Sequence, residues 1–311
     1  MSRIRLAFLG TPEFARHHLA ALLEDEHYEL VGVISQPDRP AGRKMKLHPS
    51  PVKTLALEQN LPVLTPAKIS EAVAEIRGWK AEAVVVVAYG QILPQSFLDL
   101  FPNKVVNVHG SLLPRWRGAA PIQRALMAGD KETGVALQVM VKKLDAGDVL
   151  GIRRISLDDD IDAQQLHDQM MGLGADLLHI ELMDYLRGHL VPTPQDESLV
   201  TYAHKIEKSE AEIDWQQPAA RIHNLVRGLA MGPNAFTNRE GKRIKILKTE
   251  VVPGRGQPGE VLAVTAEDFT IACGQQALKV FAVQPEAKAR QNCQAYLKGY
   301  PLSQGDCFGS S

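Results

Sequence analysis

Cysteine is scarce in this chain of 311 residues, which holds only Cys273, Cys293 and Cys307. An odd number at wide spacing supplies neither a disulfide framework nor a zinc site, and it fits a reduced cytosolic setting. Long apolar runs are missing as well. The longest, residues 83–88, falls far short of the roughly 20 residues that cross a bilayer. The run at 4–9 stops at Gly10-Thr11-Pro12 and reads as a first strand, not as a secretory signal. A cytoplasmic protein with no membrane partner is expected, and a monomer. The net charge of −1 gives no global basic field, so a nucleic-acid partner would need a local basic patch. Two signatures are also absent. No G-x-G-x-x-G follows the first strand, which argues against a dinucleotide, and no G-x-S-x-G elbow offers a serine nucleophile.

What is there is a regular alternation. Strands are predicted at 4–9, 30–35, 63–64, 83–88 and 105–109, with helices between them at 13–24, 51–59, 69–78 and 95–101. That order predicts an α/β fold, a doubly wound, mostly parallel Rossmann-like sheet. A helix at 122–128, strands at 134–142 and 149–157 and a long amphipathic helix at 160–187 complete this half. Asp158, Asp159 and Asp160 read as acids at the helix N-terminus. Residues 192–197, PTPQDE, are polar and proline-rich. Beyond 202 come a helix at 218–228 and short strands at 235–238, 243–250, 259–265, 269–273 and 278–283, which suit a small β-barrel of the oligonucleotide-binding (OB-like) kind. The predicted organisation is a catalytic domain at 1–189, a linker at 190–205 and a C-terminal β-barrel domain at 206–311.

In a doubly wound sheet, ligands sit at the carboxyl ends of the strands. Three loops fall there: 10–14, 88–94 and 107–117. In the last strand Asn107 and His109 share a face, because side chains alternate. An amide donor beside an imidazole could polarise a carbonyl and move a proton; the pair could equally be hydrogen-bonded polar residues at a strand end. Asp145 returns 36 positions after His109, one helix and one strand later, in the turn 143–150. At the first loop Thr11 is expected to cap the helix and Pro12 to open it, with free amides available to an anion. The proline-rich segment 36–53 carries Arg39, Arg43, Lys44, Lys46 and Lys53 against one acid, Asp38. It is expected to be irregular, and either grips phosphates or is a solvated basic loop.

The run N-V-H-G-S-L-L-P-R-W-R-G-A-A-P-I-Q at 107–123 resembles the signature of the folate-dependent formyltransferases, and L-D-A-G-D at 144–148 resembles their second motif. The basic Q-P-D-R-P-A-G-R at 36–43 and the G-T-P-E-F-A opening are similar to a member that acts on charged initiator tRNA. The resemblance covers essentially the whole chain. Its looser C-terminal half departs at Met231-Gly232-Pro233-Asn234-Ala235-Phe236 and at Gln291-Asn292-Cys293.

The resemblance implies transfer of the formyl group of 10-formyltetrahydrofolate to the α-amine of methionyl-initiator tRNA, with no metal. It assigns catalysis to Asn107, His109 and Asp145. Asn107 would donate to the oxyanion, His109 would share that task or relay the amine proton, and Asp145 would fix the imidazole tautomer and stabilise its cation. Folate would lie along Ser111, Leu112, Leu113 and Pro114 and against Tyr89, Gly90, Gln91, Ile92 and Leu93. Arg39, Arg43, Lys44 and Lys46, with Lys288 and Arg290, would hold the tRNA. Other members that would use the same trio, a formyl hydrolase domain, a nucleotide-sugar formyltransferase or a glycinamide ribonucleotide transformylase, are argued against by the basic loop 36–53 and the small β-domain. A silent RNA- or folate-binding protein would not need the intact trio.

Overall fold

A computed structural model describes residues 2–41 and 46–309, so Arg43 and Lys44 lie outside the described residues. The chain forms two compact units that do not follow a single cut. The first comprises Met1–Pro121, Glu132–Ile155 and His167–Ala203, and the second Ile122–Lys131, Ser156–Leu166 and His204–Ser311.

The first unit is built on β1 (Ile4–Gly10), α1 (Glu13–Glu24), β2 (Tyr28–Ile34), β3 (Arg39–Ala41), β4 (Lys46–His48), α2 (Pro51–Glu58), β5 (Val63–Leu64), α3 (Val73–Gly78), β6 (Ala83–Val87), α4 (Gln95–Leu98) and β7 (Val105–His109). Then come β8 (Arg117–Gly118), α5 (Pro121–Ala128), β9 (Glu132–Val139), β10 (Val149–Ser156), α6 (Ala163–Leu186) and β11 (Tyr202–Ala203). A seven-stranded sheet runs β10-β9-β7-β6-β1-β2-β5. Pairing is parallel from β5 through β7 and antiparallel between β7 and β9. The apolar run of β6 is buried along its whole length between two parallel neighbours, as expected for a strand covered on both faces.

Two expectations change. The segment 36–53 is not wholly irregular, because β3 and β4 pair antiparallel, with Arg39 opposite His48 and Pro40 opposite Leu47. Pro40 is tolerated because a two-stranded ladder has only edges. The helix after it is capped by Ser50, whose Oγ accepts from the Lys53 amide. Of residues 190–205, expected as a linker, those up to Ala203 belong to the first unit and are hydrogen-bonded within it. Thr193 bridges Val149, and β11 pairs in parallel with β8.

The second unit contains α7 (Ala219–Gly228), β12 (Phe236–Arg239), β13 (Lys242–Val252), β14 (Val261–Val264), β15 (Phe269–Ala272), β16 (Ala277–Pro285), β17 (Gln291–Asn292) and α8 (Cys293–Gly299). Its antiparallel sheet runs β12-β13-β16-β15-β14, with β17 added to β16. Register shifts at Ile246–Thr249 break the long β13–β16 ladder, and such bulges bend and twist a strand. The sheet therefore curls around a core that includes Trp215, Ile244, Ile246, Phe269, Leu278 and Phe308. Cys273 and Cys293 lie buried, and burial pushes both thiols up to about 12. From Ile122 onward α5 belongs to this unit. There Arg124 pairs with Glu210, and Met127 packs against the Ala211–Leu229–Phe236 cluster.

Candidate active site

β7 carries the polar pair into the interior. Asn107 is 9% exposed and His109 6%. On the neighbouring strand Gln138 stands opposite Asn107 in register and is itself buried. Its Nε2 donates to Asp145 Oδ1 at 3.0 Å. The second carboxylate oxygen, Oδ2, accepts from the Gly118 amide at 2.9 Å and lies 3.8 Å from His109 Nδ1. His109 and Asp145 therefore meet at the carboxyl edge of β7, and Asn107, two residues back on the same strand, stands opposite the Gln138 that binds Asp145.

The tautomer of His109 is set from the other side of the ring. Nε2 lies 2.8 Å from the Trp116 carbonyl. A carbonyl only accepts, so Nε2 carries a hydrogen, and in the neutral ring Nδ1 is the nitrogen with the lone pair. A separation of 3.8 Å exceeds a hydrogen bond. The expectation that Asp145 fixes the tautomer is thus corrected: the Trp116 carbonyl does so, and the carboxylate faces Nδ1 as a countercharge.

Three of the ten left-handed non-glycine residues described fall in the loops after β6, β7 and β9. Ala88 (φ 44°), Trp116 (φ 64°) and Asp145 (φ 44°) are all left-handed. Such conformations in residues other than glycine persist only where the surroundings over-determine them. In the Asp145 turn the adjacent Gly147 admits no substitute, since a Cβ there would sit 1.6 Å from the Val139 carbonyl oxygen.

Thr11 does not cap α1. The N-cap is Pro12, with no side-chain bond. Thr11 Oγ1 instead donates to the Tyr89 carbonyl at 2.9 Å, tying the loop after β1 to the loop after β6. In that second loop Gln91 is committed to the framework, accepting from the Ile69 amide and donating to the Pro66 carbonyl. Gly90 is left-handed at φ 88°. Ile92 is 91% exposed, whereas Leu93 and Leu113 are buried. Tyr89 is buried too, its hydroxyl has no hydrogen-bond partner, and burial pushes that phenol up to about 12. Ser111 is fully buried and donates to the Arg115 carbonyl at 2.6 Å. Leu112 and Pro114 are half-buried beside it.

The proposed tRNA contacts differ in kind. Arg39 and Lys46 are exposed on β3 and β4, and Lys53 is bound to Asp38 through both carboxylate oxygens at 2.8 and 2.9 Å. Lys288 and Arg290 are exposed in the second unit. Among the described residues no group of three or more His, Cys, Asp and Glu is arranged to hold a metal ion, and no helix is long and apolar enough to cross a membrane. Sequence reasoning missed Gln138, Gln195 and Thr201. Gln138 alone left a signal, as the one polar side chain inside the apolar run 134–141.

Comparison with known proteins adds three findings. The formyl transferase profile matches residues 4–180, and the profile of the formyl transferase C-terminal domain matches residues 205–301. A methionyl-tRNA formyltransferase of Bdellovibrio bacteriovorus is 54% identical over 99% of this chain and 100% of its own length. One of Methylobacterium sp. is 46% identical over 97% and 98%. Among solved structures, HypX from Aquifex aeolicus in complex with tetrahydrofolic acid superposes with a TM-score of 0.67 at 18% identity, covering all of this chain and 51% of its own, so this chain spans about half of that protein. WlaRD, a sugar 3N-formyl transferase, gives 0.67 at 17% identity over 93% and 100%. At such identities the likeness concerns the fold. With both of its halves matched by the family's profiles, this chain belongs to the formyl transferase family.

Proposed function

We propose that this chain transfers the formyl group of 10-formyltetrahydrofolate to the α-amino group of methionyl-initiator tRNA, giving N-formylmethionyl-tRNA. The observation that carries the reading is the Asn107–His109–Asp145 corner, in a chain about half identical over its full length to a methionyl-tRNA formyltransferase. The folate derivative supplies an activated formyl carbon, and the aminoacyl amine is already a competent nucleophile. Asn107 is assigned to donate to the oxygen of the tetrahedral state, a role for which one donor is typically worth about 2.7–4 kcal/mol. His109 takes the amine proton at Nδ1 and passes it on to the leaving nitrogen. Asp145 stabilises the imidazolium that exists between those transfers.

For the folate, the exposed Ile92 and the buried Leu93 and Leu113 offer apolar wall, and the backbone at Tyr89–Leu93 and Ser111–Pro114 offers polar edges. For the tRNA, we assign Arg39, Arg43, Lys44 and Lys46 to phosphates near the acceptor end, and Lys288 and Arg290 to a second contact. The curled antiparallel sheet is read as an OB-like module serving the same partner. The protein would act in the cytoplasm as a single chain. The test is incubation with 10-formyltetrahydrofolate and charged initiator tRNA. Formyl-methionine on the tRNA is expected; absence of that product, with formylation of free amines instead, overturns the reading.

A further inference from the structure

We infer that the segment 193–203 is a strap that positions both partners of the acid–base pair, with Gln195 holding the Asp145 turn, Thr201 holding the Trp116 loop and buried Arg117 locking Gln195 in place. This rests on the reading of His109 and Asp145 as the proton-handling pair.

At one end, Gln195 Nε2 donates to the Asp145 carbonyl at 2.9 Å and to the Gly147 carbonyl at 2.6 Å. The amide cannot turn over, because its Oε1 accepts from both Nε and Nη2 of Arg117, at 3.0 and 2.8 Å. A guanidinium only donates, so the NH2 group must face the turn. At the other end, Thr201 Oγ1 accepts from the Trp116 amide at 2.9 Å and its carbonyl accepts from the Arg117 amide at 2.9 Å. Trp116 supplies the carbonyl that holds His109 Nε2, and Gly118, in β8 beside β11, supplies the amide that holds Asp145 Oδ2.

Arg117 is a costly choice for packing alone. Its side chain is fully buried, its Nη1 has no partner, and its carboxylate contact, Glu197, is mostly exposed. Leaving a buried donor unsatisfied is destabilising, and an apolar side chain of similar volume would avoid that. What a guanidinium adds is a fixed orientation for Gln195. Glu197 extends the lock, since it also binds Lys143 at the start of the turn, and these two cations pull its carboxyl down to about 2. Two left-handed residues, Trp116 and Asp145, are the ones the strap touches, directly or through hydrogen bonds to their backbone.

Gln195→Glu keeps the volume and the acceptors for Arg117 while removing the donors to the two carbonyls. It is expected to fold, to lower kcat for formyl transfer by roughly 10- to 100-fold, the scale of a small misplacement at a reacting centre, and to leave KM for the formyl donor near the parent value. Combined with Asp145→Asn, it should cost nothing beyond Asp145→Asn alone, because both disable one unit. An unchanged kcat, or a loss that multiplies with that of Asp145→Asn, overturns the inference. If Asp145→Asn by itself keeps full kcat, the acid–base reading of the pair has failed instead, and the strap's role with it. Thr201→Val, which removes the acceptor for the Trp116 amide at nearly constant volume, gives the same readout at the other end in a His109→Ala background, should Gln195→Glu not fold.

Discussion

The corner that holds His109 and the hairpin that carries Arg39 and Lys46 are both polar and both leave the same sheet, yet they are built on opposite terms. At the corner each carboxylate oxygen of Asp145 has a donor, the imidazole has its carbonyl, and the flanking backbone is held in a left-handed conformation. On the hairpin Arg39 and Lys46 stand exposed, and Lys53, neutralised by Asp38, lies beyond it in α2. Groups that handle a proton must be held to a fraction of an ångström, because catalysis depends on geometry. Groups that grip a phosphate chain act through summed charge and tolerate displacement. The difference predicts that substitutions at the corner act on kcat and those on the hairpin on binding.

The sharpest break of that contrast is His109→Ala. It should lower kcat by roughly 10²- to 10⁴-fold, the range of a lost general acid–base group, while the Kd for charged tRNA, measured by filter binding, stays near the parent value. Asn107→Ala should follow, with roughly 10²- to 10³-fold lost from kcat and the folate-donor KM little changed, as for a missing oxyanion donor. A loss confined to KM would move Asn107 from the chemistry to substrate binding.

A second buried imidazole sharpens the comparison from within the fold. His18 is fully buried and Nδ1 meets the Phe14 carbonyl, but Nε2 has no partner, and Gly174 leaves just the room it needs. Burial, aided by His17 and His167 nearby, holds it down to about 4. Its folded-state value lies below the unfolded one, so the unfolded chain binds the extra proton between pH 6.5 and 4. Stability is full above about pH 6.5 and falls as the pH drops toward 4, by an amount of order 3 kcal/mol from this group. Urea unfolding at pH 7 and pH 4.5 measures that fall, and His18→Asn should flatten it. The smallest effect is on the hairpin. Lys46→Ala should reduce the slope of log K against log salt for tRNA by about 1, with kcat at saturating tRNA unchanged.

The same contrast explains what was legible in the sequence. The valine run of β6, the polar pair in β7 and the return of Asp145 announce themselves, because apolar periodicity and special residue types are local signals. Gln195 and Thr201 do not. They are ordinary polar residues in a proline-rich stretch, and their importance lies in hydrogen bonds to residues about 50 and 85 positions away, Asp145 and Trp116. Thr11 shows the same limit: its hydroxyl suits an N-cap, but the Tyr89 carbonyl, 78 residues on, takes it instead. The β3–β4 ladder is hidden by Pro40 within it and by Pro37 and Pro49 beside it. Expectations for Arg43 and Lys44 lie outside the described residues.

The interleaving of the two units bears on how this protein can be cut. Severing the chain after Ala203 would strip Ile122–Lys131 and Ser156–Leu166 of the residues that hold them: Glu210 for Arg124, and His223 and Arg227 for the carbonyls of Asp159 and Asp158. Leu157 and Ile161, buried in the whole chain, lie in the second of those pieces. An N-terminal fragment expressed alone would therefore carry two frayed, sticky excursions. Gene fusions, split reporters and protease nicks placed at that junction divide the sequence where the polypeptide itself does not divide.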